Sequence, residues 1–288
     1  MCVNKVAVAD LLHYRLNNYF NCGRCPACVQ QNANRRASKI RNNYLPGFVC
    51  YFVHLTYKPD FLPYIFRSDL KAYLNSYDKK NHVYKHYGIT VWRDVKHLRV
   101  KDNVYNIKER HCIGSYMPGE YIHASKIDEF PGICISHEFG KKPKFDPGRI
   151  SVVFTPDFQN FINRFRQNLF RDFGYRVPLS YYYAPEYGPT TFRFHIHLLL
   201  WLPEKTFSEV SVRSYVLKTW PYADKSRTAK FIEVARNPAS YCASYVNTSA
   251  DIPDCLTRLF LPRPSHSLGF GFVNRHFTSL LSTKNGRG

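Results

Sequence analysis

An α+β fold, a central antiparallel sheet with helices packed on it, is what this sequence predicts, and three observations carry that prediction. Short β-branched and aromatic runs begin near residues 48, 150, 179, 193 and 230. Apolar stripes at helical spacing begin near residues 157, 207 and 238. Two of the runs, 179–187 and 192–201, are separated only by Gly188-Pro189-Thr190-Thr191, which reads as the turn of a hairpin. Strands that follow one another and helices spaced among them give helices packed on one side of an antiparallel sheet.

The chain divides into a Cys-containing segment with a basic helix (1–47), a main domain (48–250) and a loop-rich tail (251–288). The first segment holds Cys22, Cys25 and Cys28 in a turn, then Val29 to Asn43 without Pro or Gly, carrying Arg35, Arg36, Lys39 and Arg41. Three thiolates at two-residue gaps suit a structural Zn²⁺ with Cys2, His13 or Cys50 as fourth ligand. No second Cys-x-x-Cys pair accompanies them, so free thiols or a simple capping turn stand beside that reading.

Phe48 to Tyr57 is a central strand ended by Pro59, with Phe52, His54 and Thr56 on one face. His54 reads first as an ordinary polar strand residue and second as a metal ligand. A short helix follows Asp69 through Leu70, Tyr73 and Leu74. Residues 79–147, rich in Lys, His and Tyr, read as an insertion with its own hairpins near Val91-Trp92 and Ile133-Cys134-Ile135. A strand is expected over Ile150 to Thr155, then a helix opened by Pro156 and Asp157 with Phe158, Phe161, Ile162, Phe165 and Leu169 inward. Arg164, Arg166 and Arg171 fall mostly on its solvated face.

The densest chemistry lies in the hairpin. Side chains alternate along a strand, so His195 and His197 share one face while Ile196 and Leu198 enter a core. Twelve histidines in 288 residues supply about half a His-x-His by chance, so the pair alone is a weak signal. A turn near Thr190 sets Glu186 opposite His195, because paired positions across a hairpin sum to a constant. Two imidazoles and a carboxylate, with open positions left, suit a divalent ion that must also hold a substrate. Glu186 as a plain surface residue is the competing reading.

Thr206 or Ser208 caps a helix to Trp220, and Lys230 to Ala235 forms a short strand. Pro238 starts a helix to Asn247 that sets Tyr241 and Tyr245 on one face, with Ser240, Ser244 and Asn247 marking an exposed side.

A net charge of +20 implies a polyanionic partner, and 16% aromatic residues supply surfaces on which unpaired bases stack. No apolar run approaches the 18 or so residues needed to span a bilayer, so a membrane is not expected as a partner. Nine cysteines without a signal-like N-terminus predict a reduced, cytoplasmic setting.

Three blocks, Val53-His54-Leu55-Thr56-Tyr57, Glu186-Tyr187-Gly188 with His195-Ile196-His197, and Tyr241-Cys242-Ala243-Ser244-Tyr245-Val246-Asn247, resemble the ordered motifs of the HUH-superfamily rolling-circle replication initiators. The chain is most similar to those of microviruses, especially the gokushovirus branch. The Cys22 to Cys28 segment before a basic helix and the loose Arg263-Pro264-Ser265 and Gly269-Phe270-Gly271 block share in that likeness. It departs from the branch at His54, at Phe194 and at Thr248-Ser249, where Thr, Pro and lysines are usual. The resemblance implies a ferredoxin-like or RRM-like core and a metal-dependent endonuclease that nicks one strand at an origin. It implies a metal, Mg²⁺ or Mn²⁺, on His195, His197 and Glu186, and nucleophiles at Tyr241 and Tyr245 that form a 5′-phosphotyrosyl link and free a 3′-OH. The partners it implies are single-stranded DNA, the replicative double-stranded origin, and a host helicase and polymerase in a bacterial cytoplasm. Arg193, Arg35, Arg36 and Lys39 are the expected DNA contacts. A basic single-strand-binding or packaging protein without catalysis, and another HUH nuclease or transposase, are the alternative readings.

Overall fold

A computed structural model describes residues 5–7, 19–21, 31, 34–35, 37–38, 40–41, 46–78, 80, 83–85, 88–95, 98–100, 103–105, 109–116, 130–136, 141–188, 190–223, 228, 232–238 and 263–264. Two antiparallel sheets organise them. The strands are β1 (Phe48–Thr56), β2 (Tyr64–Phe66), β3 (Ile89–Val95), β4 (Glu109–Tyr116), β5 (Arg149–Ser151), β6 (Ser180–Tyr187), β7 (Phe194–Pro203), β8 (Ile232–Val234) and β9 (Arg263–Pro264). The helices are α1 (Arg67–Asn75), α2 (Thr155–Phe173) and α3 (Glu209–Thr219). The central sheet has the order β8-β1-β7-β6-β9, and the second has the order β4-β3-β2-β5.

The α+β prediction is met, and the central strands have the expected alternation. Val53 and Leu55 of β1 and Ile196, Leu198 and Leu200 of β7 are fully or almost fully buried in one large core. Helix α2 completes that core with Phe158, Phe161, Phe165 and Leu169 at helical spacing. Pro156 sits in its first turn, where no amide hydrogen is needed, and Gly174 ends it in the left-handed conformation with φ 75°. Ser208 starts α3 in a capping box with Ser211. Trp220, completely buried just past α3, donates its indole N–H to the Thr56 carbonyl at 2.9 Å and ties the helix layer to β1.

The opposite face of the central sheet is also covered at one end. Cys50, Phe52, Tyr182, Ala184, Leu199 and Trp201 form a second apolar cluster with Ile40, which lies in helical conformation. Helical residues therefore stand on both faces, where a single face was expected.

Two expectations need correction. The strand predicted over 150–155 is only Arg149–Ser151, and it pairs with β2 in the second sheet. Val152 and Val153 are buried in the core without strand pairing, because hydrophobicity alone does not distinguish a ladder from a packed extended segment. The region 79–147 is not set apart from the fold. Its β3 and β4 build half of the second sheet, with Tyr64 of β2 opposite Trp92 of β3. Among the described residues, no helix is long and apolar enough to cross a membrane.

Candidate metal centre

Register makes the site. Glu186 lies opposite His195 in the β6–β7 ladder, the pairing predicted from the hairpin, and His197 lies opposite His54 in the β7–β1 ladder. Three neighbouring strands thus bring one carboxylate and three imidazoles onto the face away from the large core. Alternation places them there: the intervening Ile196 and Leu198 fill the core side.

The donor atoms converge. Nε2 of His195 and Nε2 of His197 are 2.9 Å apart. Oε2 of Glu186 is 2.7 Å from His197 Nε2 and 3.6 Å from His195 Nε2. The His54 ring stacks on His197, with centroids 4.6 Å apart and planes 10° apart, and meets His195 edge-on at 4.5 Å. Ligand atoms from His54, His195 and His197 all lie within 4.8 Å of one another. Phe52 stacks on His197 at 5.6 Å.

His195 Nδ1 is 3.3 Å from the Arg193 carbonyl, which can only accept, so Nδ1 carries the ring proton and Nε2 presents a lone pair. Burial lowers the pKa of His197, and the charge of His195 adds to this against the opposing pull of Glu186. Burial would raise Glu186, but hydrogen bonds from His195 and His197 with their charge outweigh it and hold the carboxyl at about 2. These two directions pull against each other, since an anionic Glu186 favours a protonated neighbour. At neutral pH the state consistent with both is an ionised Glu186 beside a neutral His197. One N–H of His197 is then shared by the carboxylate and the lone pair of His195.

That donor set fits a divalent ion. Atoms bound to one first-row metal at about 2.0–2.2 Å lie about 3 Å from each other, which matches the separations between Glu186, His195 and His197. A cation replaces the one proton that these acceptors share.

His54 is the residue that the sequence reading ranked wrongly, as an ordinary strand polar group. The available signal was its position in a Phe52-His54-Thr56 face, but only the β1–β7 pairing sets that face beside the histidine pair. Arg193 is half-buried and gives one guanidinium N–H to the Tyr57 carbonyl at 2.9 Å. Arg35 is exposed in helical conformation. Cys50, a candidate fourth zinc ligand, is buried in the smaller apolar cluster. Tyr241, Tyr245, Arg36, Lys39, Cys22, Cys25 and Cys28 lie outside the described residues.

Residues 152–250, about a third of the chain, match the family model described as Replication-associated protein ORF2. The matched stretch runs from the start of α2 through Glu186, His195 and His197 to the region of the two tyrosines. This match is consistent with a replication initiator. No curated protein and no solved structure matches the chain.

Proposed function

We propose that this protein is a replication initiator of the HUH type, which nicks one DNA strand at an origin and keeps the 5′ end on a tyrosine. The observation that carries the reading is the convergence of Glu186, His195 and His197 on one sheet face, inside a stretch similar to replication-associated proteins. The likeness to microvirus initiators, read from the three motif blocks, supports the finer assignment.

Glu186, His195 and His197 would hold a divalent metal, with His54 as a fourth donor from β1. When bound, such an ion supplies positive charge that polarises the non-bridging oxygens of the scissile phosphate. Mg²⁺ and Mn²⁺ suit an open shell completed by phosphate oxygens, and the imidazoles favour Mn²⁺. The residues around the ligands fix their orientation: the Arg193 carbonyl holds the His195 ring by Nδ1, while Phe52 and His54 sandwich the His197 ring.

Tyr241 or Tyr245 is the nucleophile. Its ordinary pKa near 10 leaves almost no phenolate at neutral pH, so attack needs a phosphate already oriented and polarised. The phenolic oxygen bonds to phosphorus, its proton leaves to solvent, and the P–O3′ bond breaks. The departing oxygen takes a proton and becomes the 3′-OH that primes synthesis. The second tyrosine cuts the regenerated origin, and attack by a 3′-OH on the phosphotyrosyl bond rejoins the strand. The partners of this reading are the origin, as single strand and as replicative duplex, with a helicase and polymerase of a bacterial host.

The test is a labelled single-stranded origin oligonucleotide incubated with Mn²⁺ and resolved by denaturing electrophoresis. A covalent adduct lost in the Tyr241→Phe, Tyr245→Phe double variant is expected. Hydrolysis without an adduct would instead indicate a plain nuclease, and binding without cleavage a packaging protein.

A further inference from the structure

The hairpin corner between β6 and β7 holds a residue in a conformation that its type disfavours. Phe192 has φ 48°, and among the described residues it is the one non-glycine in the left-handed region. Glycine or asparagine takes such a position at little cost, and a bulky side chain there marks a constraint imposed by its surroundings.

Those surroundings come from outside the hairpin. The Phe192 ring meets Phe130 edge-on at 5.3 Å and Phe145 at 6.1 Å, both within the 79–147 region. Phe130 also packs against Tyr187, at the other side of the same corner, at 5.0 Å. The Phe192 carbonyl accepts a hydrogen bond from Ser151 of β5 at 3.2 Å, and the Phe192 amide donates to the Gly188 carbonyl at 2.9 Å. The corner is closed by Gly188 donating to the Arg193 carbonyl at 3.0 Å. That same carbonyl accepts Nδ1–H of His195.

The geometry points to a positioning role for the 79–147 region: Phe130 and Phe145 hold Phe192 in its left-handed conformation, and the corner so fixed aims the Arg193 carbonyl at His195. This inference rests on the metal-centre reading above. The chain of contacts runs from two aromatic rings through one backbone conformation to one carbonyl oxygen. Its product is the orientation and tautomer of a ligand ring, with Nε2 presented toward Glu186 and His197. Outer partners of ligating histidines act in this way, and losing one costs about 10- to 100-fold in metal affinity. Phe192, Phe130 and Phe145 are positioning residues and touch neither metal nor substrate. A glycine at 192 would relax the backbone yet lose the clamp, so local comfort and metal affinity move in opposite directions.

The experiment measures Mn²⁺ binding by titration calorimetry and reads the His195 tautomer from imidazole ¹⁵N shifts in the metal-free full chain. Wild type is compared with Phe192→Gly, Phe192→Tyr, Phe145→Ala and His195→Ala. The expected result is a loss of about tenfold or more in affinity for Phe192→Gly and Phe145→Ala, with mixed tautomers at His195, and near wild-type values for Phe192→Tyr. Wild-type affinity and a pure Nδ1–H tautomer in both Phe192→Gly and Phe145→Ala would overturn the inference. Circular dichroism checks folding, and Phe145→Ala, at a half-buried position in a short outer ladder, decides the matter where Phe192→Gly does not fold. The metal-centre reading fails separately, by wild type and His195→Ala binding Mn²⁺ equally weakly.

Discussion

At the scale of single residues, Glu186 and His197 respond to pH in the same direction for different reasons. The carboxyl is held at about 2 in the fold against an ordinary 4.5, so its contribution to stability is present above 4.5 and is lost as pH falls toward 2. His197 is pushed below its ordinary 6.5 by burial, so the unfolded chain takes up its proton first and stability drops as pH falls through 6.5. Metal-free protein should therefore melt at progressively lower temperature on acidification. Glu186→Gln should flatten the part of that slope below pH 4.5, as measured by thermal melts in EDTA. Metal release on acidification should follow imidazole protonation, since the carboxylate stays ionised throughout the range where imidazoles titrate. His54 offers a second test at this scale. His54→Phe keeps a ring to stack on His197 but removes a donor nitrogen, so Mn²⁺ affinity should fall about tenfold while the melting temperature moves by only a few degrees. Equal affinity in calorimetry would make His54 a packing residue alone.

At the scale of elements, the hairpin was legible because both of its strands carry unbroken alternation and a turn of Gly, Pro and Thr lies between them. The 186–195 register follows from that turn position and is observed. The α2 stripe was equally legible, since five apolar residues recur at helical spacing and five are buried. The α3 start was narrowed to two residues and is Ser208, whose hydroxyl accepts from the Ser211 amide at 3.2 Å. Ser208→Ala should cost about 1 kcal/mol in urea unfolding and leave metal binding unchanged, because α3 packs on the far side of the sheet from the histidines. The short β5 was less legible. Strand pairing is a property of two segments, and Ile150 to Thr155 has the composition of a strand along a stretch where only its first two residues have a partner to pair with.

At the scale of the whole molecule, the excess of 41 Lys and Arg over 21 Asp and Glu acts on any nucleic acid irrespective of sequence. Binding to a non-specific single strand should weaken steeply between about 50 and 200 mM salt, by about a hundredfold or more if several phosphates are contacted. EDTA should leave that binding nearly intact while abolishing adduct formation, which separates the electrostatic work of the surface from the chemistry of the site. Fluorescence anisotropy across a salt series, with and without EDTA, measures both. The coupling of the two sheets matters at this scale as well. Phe130 and Phe145 belong to a region whose scattered Lys, His and Tyr gave no readable pattern, yet their rings pack on the hairpin that carries the ligands.

By itself the sequence determined the α+β class, the inward and outward faces of β1, β6 and β7, and the placement of Glu186 opposite His195. Each of these depends on alternation or on a turn within a few residues, and so on local geometry. Only the tertiary structure decided that His54 joins the cluster, that a second sheet is built partly from residues 79–147, and that Phe192 is wedged at the corner behind His195. Those facts depend on which strand lies beside which and on contacts between residues far apart in the chain. No local periodicity encodes such contacts, because burial of apolar surface rewards the packing as a whole and is indifferent to the order in which the chain supplies it.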